Sequence, residues 1–202
     1  MIENIMYTFD KNFLRLNNLI ILYKSMSVGK GRKPTNSLDI LRATTVLAHS
    51  TLEDYLRSLL RWKLPLQNRE KIESIPLMGT SDIGRATKFT LGVLVIHRGK
   101  SIDNLINDSI EKYLETVSFN DTNDISTALE RISLAITPEI RTTFPILNEM
   151  IKRRHNIVHR ADRDDNFGSG NHKIKSISIQ KIEQWKKTID KFIIEVNKNF
   201  IN

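Results

Sequence analysis

Apolar residues recur every three or four positions between Thr35 and about Lys63, and Pro65 ends the pattern. This spacing puts one apolar stripe along a long α-helix, with Thr35 or Ser37 as its N-cap and Asp39 in its first turn. The stripe consists of Leu38, Leu41, Thr45, Ala48, Leu52, Tyr55 and Leu59. A helix with a single apolar stripe buries that side against other elements, so this stretch predicts a long helix packed in a core.

Other segments repeat the helical spacing, and we predict an all-α fold, an antiparallel bundle of four to five principal helices with short extra helices or extended connectors. The expected helices are Tyr7 to Met26, Ile102 to Val117 capped by Ser101, Ile125 to Ile136, a helix opened by Thr137-Pro138-Glu139 and kinked at Pro145, and a last helix from about Ile179. Residues 88–99 alternate like a strand. Because a lone short strand is unstable, we expect an extended connector there.

The composition bounds the class of protein. We expect one domain over residues 1–202, with an N-terminal helix and a basic loop in residues 1–34. That loop, Val28 to Pro34, lacks the G-x4-G-K-[S/T] phosphate-binding pattern, so a solvated loop is expected. No cysteine occurs, which excludes disulfides and thiolate metal sites and fits a reducing cytoplasm. The longest apolar run, Leu19 to Tyr23, is too short for a membrane span, and the N-terminus lacks the layout of a secretory signal, so a cytoplasmic protein without a membrane segment is expected.

The net charge of +8 favours polyanionic partners such as RNA, DNA or an acidic membrane surface. Many soluble domains are this basic for solubility alone. The charge therefore indicates attraction to polyanions and does not indicate a reaction.

The densest polar segment is Lys152 to Asp162, with two of the five histidines. On a helix His155 and His159 share a face, whereas Arg154 and His159, five positions apart, are rotated by roughly 140°. Those two converge on one phosphate only if His159 lies in the loosened last turn or if a second copy faces the first. The apolar positions Ile140, Phe144, Leu147, Ile151, Ile157 and Val158 are expected to hold the segment against the core.

These residues resemble the R-x4-6-H motif of the HEPN superfamily: Arg154, the polar His155, three further residues and His159. The string RRHNIVHRAD is similar to the RiboL-PSP-HEPN branch, as are VLAHSTLEDYLRSLLRW and KFTLGVLVIHRGKSIDNLI, so the resemblance covers roughly residues 35–200. It implies a metal-independent endoribonuclease without a cofactor. In such an enzyme His159 takes the proton of a ribose 2′-OH and Arg154 stabilises the charge on the phosphate, which leaves 2′,3′-cyclic phosphate and 5′-OH ends.

The resemblance also suggests supporting residues. His155 could hold a phosphate or tune His159, Arg153 and Arg160 could grip flanking phosphates, and Asn156 stands among them. Glu53 lies where the branch has an acidic residue facing the motif helix, so it either orients Arg154 or His159 or pairs with Arg57 on its own helix.

RNA, a second copy of the chain and a regulatory protein are the partners that the resemblance implies, in a setting of antiphage defence or a toxin-like stress response. HEPN toxins silenced by nucleotidyl transfer commonly carry H-x-Y. Here Arg160 and Ala161 follow His159, which puts that control in doubt.

Three alternatives remain open. His155 and His159 could ligate a metal, but zinc usually needs a third protein ligand and H-E-x-x-H is absent. The scaffold could serve as a non-catalytic nucleotide-binding, RNA-binding or protein-interaction module. The cluster could also be structural, with its arginine bonded to Glu53, although two histidines and three arginines in one segment argue against this.

Overall fold

Seven α-helices make up most of the chain that the computed structural model describes, which covers residues 1–26, 35–78, 91–164 and 173–200. The helices are α1 (Ile2–Met26), α2 (Thr35–Lys63), α3 (Arg69–Ile72), α4 (Ile102–Thr116), α5 (Thr122–Arg131), α6 (Pro138–Arg160) and α7 (Ile179–Asn197). Short 3-10 helices cover Leu64–Leu66, Leu91–His97 and Lys198–Phe200. The described ranges contain no strand beyond an isolated antiparallel bridge between Arg163 and Ile174. The predicted all-α bundle is confirmed.

Helix α2 is the element against which the others pack, since it contacts α1, α4, α5, α6 and α7. Its buried side is wider than the predicted stripe and includes polar residues. The hydroxyls of Thr44, Thr45 and Thr51 donate to carbonyls four residues earlier in the same helix, at 2.7, 2.9 and 2.8 Å. Threonine can therefore be buried here without needing a partner from another helix.

The start of α2 differs from the prediction. The helix begins at Thr35, so neither Thr35 nor Ser37 is its N-cap, and the preceding residues 27–34, with the basic loop, lie outside the described ranges. Asp39 is not in the first turn. Its carboxylate instead accepts a hydrogen bond from Arg42 at 3.1 Å.

Helix α6 packs between α2 and α7. Thr137 caps it, with its hydroxyl accepting from the amide of Ile140, and Pro138 occupies the first turn, where a missing N–H costs nothing. Pro145 lies inside the helix, which continues to Arg160.

The prediction that Val158 holds α6 against the core is wrong. Its side chain is 49% exposed, and Ile157 is only half-buried. The fully buried positions of α6 end at Ile151, and its last two turns are half-buried or exposed. The motif end of α6 therefore extends beyond the packed core.

Two connectors also differ from expectation. Helix α5 starts at Thr122, where the Asp121 carboxylate accepts from two backbone amides, and ends at Arg131 rather than Ile136. Ser133, with φ of 59°, is in the left-handed region, which is incompatible with a continuing helix. Residues 91–97 form a 3-10 helix and not an extended connector, while residues 88–90 lie outside the described ranges.

Within the described ranges, none of the helices combines the length and the apolar character that a bilayer span requires.

Candidate functional site

The exposed end of α6 carries the motif. His155 and His159 lie one turn apart, with ring centroids 4.5 Å apart and planes inclined by 44°. Both side chains are exposed, as is Arg160, and Asn156 is half-buried. The i, i+4 relation of the two histidines is thus realised on a surface that a large substrate can reach.

Arg154 lies on the side of α6 that faces α2 and is half-buried. Its Nε is buried without a hydrogen-bond partner, and no residue in the described ranges accepts a hydrogen bond from this guanidinium. Burial is the main cause of the lowered pKa of His49 on α2, and the positive charge of Arg154 adds to that lowering. Arg154 is therefore a cation with uncommitted donors beside the exposed histidines.

His49 is a buried histidine that the sequence did not single out. Its Nε2 lies 3.0 Å from the carbonyl oxygen of Phe119, which can only accept, so Nε2 carries the hydrogen and Nδ1 is an acceptor. Burial is the largest influence on its pKa and lowers it, while the Phe119 carbonyl and Glu53 raise it and Arg154 lowers it. The net direction is downward, which favours a neutral imidazole.

Glu53 is bound to its own helix. Its Oε1 accepts from Nη2 of Arg57 at 3.0 Å, and its Oε2 lies 3.7 Å from Nδ1 of His49. Arg57 also donates to the carbonyls of Leu114 and Val117, which ties α2 to the end of α4. Among the described residues no hydrogen bond joins Glu53 to Arg154 or His159. The Glu53 side chain therefore belongs to the surroundings of His49 and Arg57.

Arg153 points to a different set of partners from Arg154. Its Nη2 donates to Asp162 Oδ2 at 2.7 Å and to the carbonyls of Lys175 and Ser176 at 3.1 and 2.9 Å. Arg42 of α2 donates to the same Asp162 oxygen from Nε at 2.8 Å. The Asp162 carboxylate is fully buried, so two arginines from two helices neutralise one interior charge.

The chain turns sharply after α6 to bring Asp162 inside. Ala161 and Asp162 have φ of 47° and 59°, a left-handed pair that is costly for an alanine and better tolerated by an aspartate. The Asp162 amide donates to the carbonyl of Asn156 at 3.1 Å, and its carbonyl accepts from the amide of Lys175 at 2.9 Å. The turn thus fixes the end of α6 against the segment that precedes α7.

A metal site has no support in the part of the chain that the structure describes, where no three His, Cys, Asp or Glu side chains come together in a way that could hold an ion. The structure brings Arg154, His155, Asn156, His159 and Arg160 together on one helix end. Glu53 is set apart from them by its pairing with Arg57.

The model of the family described as RiboL-PSP-HEPN matches residues 10–202. No curated protein matches the chain, and no solved structure matches it. The match begins within α1, upstream of the residues on which the resemblance in the sequence rests.

Proposed function

Because the chain belongs to the RiboL-PSP-HEPN family, we propose that it is a metal-independent endoribonuclease whose catalytic residues are Arg154 and His159. The observation that carries the proposal is the placement of both residues on the last two turns of α6, beyond its fully buried positions. His159 is exposed to a substrate, and the Arg154 guanidinium has no hydrogen-bond acceptor among the described residues. A structural arginine would have an acceptor, as Arg153 does.

In the proposed reaction, a ring nitrogen of His159 takes the proton of a ribose 2′-OH. The 2′-oxygen forms a bond to the adjacent phosphorus while the bond from phosphorus to the 5′-oxygen breaks, and the 5′-oxygen takes up a proton from water. Arg154 donates to the phosphate oxygens, where negative charge accumulates in the transition state. The products carry 2′,3′-cyclic phosphate and 5′-OH ends, and DNA is not a substrate because it lacks the nucleophile.

The neighbouring residues take supporting roles in this proposal. His155, in ring contact with His159, orients that imidazole, and Asn156 and Arg160 lie at the same end for contact with the RNA backbone. We assign Arg153 to holding the turn through Asp162 rather than to a flanking phosphate. We assign Glu53 to its pair with Arg57 on the same helix rather than to the reaction.

A second copy of the chain completes the proposed site. Arg154 and His159 diverge by roughly 140° on one helix, so two facing copies can supply both groups to one phosphate. Val158 and Ile174, 49% and 46% exposed, provide apolar surface near the motif for such a contact. The family suggests a role in bacterial defence or a toxin-like system, where a regulatory protein would restrain the activity.

The proposed activity is tested by incubating purified protein with total RNA and with transfer RNA in the presence of EDTA and measuring RNA cleavage. Arg154→Ala and His159→Ala should each lower the cleavage rate by about 100-fold or more without changing the melting temperature. The matched control is Arg69→Ala, which should cleave at the wild-type rate. It removes an arginine whose side chain is 88% exposed and which is far from the motif in the sequence. The wild-type products should carry 2′,3′-cyclic phosphate ends.

Mixing the two inactive variants tests the shared site. If one copy supplies the arginine and the other the histidine, half of the dimers are mixed and each has one intact site of two, so about a quarter of the activity returns. Equal cleavage by wild type and both variants would overturn the catalytic assignment. RNA binding without cleavage in the wild type would favour a binding module instead.

A further inference from the structure

A groove of about 470 Å³ lies between α6 and the N-terminal end of α7, beside the motif but on another side of α6. Residues of α6 line one wall, the segment before α7 forms the floor, and the first turns of α7 form the other wall. The residues that matter for its chemistry are Lys152, Arg153, Asn156, Ser178, Lys181 and Trp185. Its volume is within the range of roughly 300–1,000 Å³ that small-molecule sites have.

Two residues that line this groove, Arg153 and Trp185, each have a buried N–H without an acceptor in the described part of the chain. Trp185 is only 3% exposed, and its indole N–H is buried without a hydrogen-bond partner in the described ranges. The Nε–H of Arg153 is buried in the same condition, although Nη2 of that residue is fully engaged. Buried N–H groups normally have acceptors, and a ligand that brings oxygen atoms into the groove would supply them.

The charge of the groove favours an anion. The Lys152 ammonium is exposed and has no ion-pair partner among the described residues, while Lys181 pairs with Glu149 at 3.0 Å. The groove also meets the start of α7, where the Ser178 hydroxyl accepts from the amide of Lys181 and the first turn holds no acidic residue. The N-terminal end of such a helix carries a partial positive charge that attracts phosphate.

We propose that this groove is a second anion site, which binds the phosphate of a nucleotide between Lys152, the start of α7 and the indole N–H of Trp185. The nucleotide is either free or a unit of an RNA chain, since both present the same phosphate oxygens. Asn156 lies both in the groove and between the two motif histidines in sequence, so an RNA bound here would continue toward His159. The site itself requires neither His159 nor cleavage.

The binding test measures calorimetric affinities for inorganic phosphate, 5′-AMP and a 2′-O-methyl RNA oligonucleotide, which cannot be cleaved. Lys152→Gln should weaken binding about tenfold, the loss of one charge-assisted contact. Trp185→Phe keeps an aromatic ring in the core and removes the N–H, and it should also weaken binding. Lys187→Gln removes an exposed lysine from another side of α7 and should bind like wild type.

The outcomes separate the sources of the phosphate and separate this proposal from the catalytic one. Binding of 5′-AMP that phosphate displaces indicates a free nucleotide, whereas binding of the oligonucleotide alone indicates an RNA chain. Phosphate and 5′-AMP should bind the wild-type protein even if no RNA is ever cleaved. The proposal is overturned if no probe binds at millimolar concentration, or if Lys152→Gln, a surface change that leaves folding intact, binds every probe as wild type does.

Discussion

The carboxylate of Asp162 holds the end of α6 to α2, and its removal should cost much of the protein's stability. Asp162 is fully buried and accepts from Arg42 at 2.8 Å and from Arg153 at 2.7 Å, and those side chains are only 12% and 17% exposed. Asp162→Ala breaks two charge-assisted hydrogen bonds and leaves two poorly hydrated cations side by side. Breaking a buried pair in this way costs about 3–5 kcal/mol of the free energy of unfolding.

Urea denaturation measures this loss, with Asp108→Ala as the matched control. Asp108 also pairs with a cation, Lys100, but its side chain is 43% exposed, so its removal should cost no more than about 1 kcal/mol. Asp162→Asn keeps an acceptor and removes the charge, so it should fall between the two. A loss for Asp162→Ala no larger than that for Asp108→Ala would refute the conclusion that this carboxylate holds the helix end.

Two further predictions concern buried polar groups on α2. The pKa of His49 is lower in the folded protein than its ordinary value of about 6.5, so the unfolded state binds the proton more readily. The contribution of His49 to the free energy of unfolding is therefore complete above about pH 6.5. It is lost as the pH falls through the folded pKa. Melting temperatures from about pH 8 to about pH 5 should therefore fall more steeply for wild type than for His49→Asn, and parallel curves would contradict this. Tyr55→Phe removes the hydroxyl that donates to Asn197 Oδ1 at 2.7 Å, and urea denaturation should show a loss of about 1–2 kcal/mol, whereas Tyr7→Phe, at an exposed tyrosine, should show none.

The helices could be predicted from the sequence because their signals are local. The apolar spacing and the caps Ser101 and Thr137 act within a few residues of each other, and the contact of His155 with His159 follows from helix geometry alone. The burial of Val158 was predicted wrongly because it depends on more than local spacing. The spacing tells which side of α6 is apolar, but not where the neighbouring helices stop covering it.

The different hydrogen bonding of Arg153 and Arg154 could not be predicted from the sequence. Adjacent residues on a helix point about 100° apart, and their roles depend on what the rest of the chain places there. Arg153 meets Asp162, whose charge is shared with Arg42 from 120 positions away, and Arg154 meets no acceptor in the described ranges. His49 escaped notice likewise, because the carbonyl that fixes its tautomer belongs to Phe119, 70 positions later.

The extension of α6 beyond the core gives the molecule two levels of stability. Up to Ile151 the helix is held by apolar packing, which is lost only when the bundle unfolds. Past Ile151 its position depends on the polar turn at Asp162. Amide hydrogens of the last turns should therefore exchange through a small local opening that exposes little surface and responds weakly to urea. A ligand bound at this end would slow that local exchange while leaving global unfolding of the bundle a separate event.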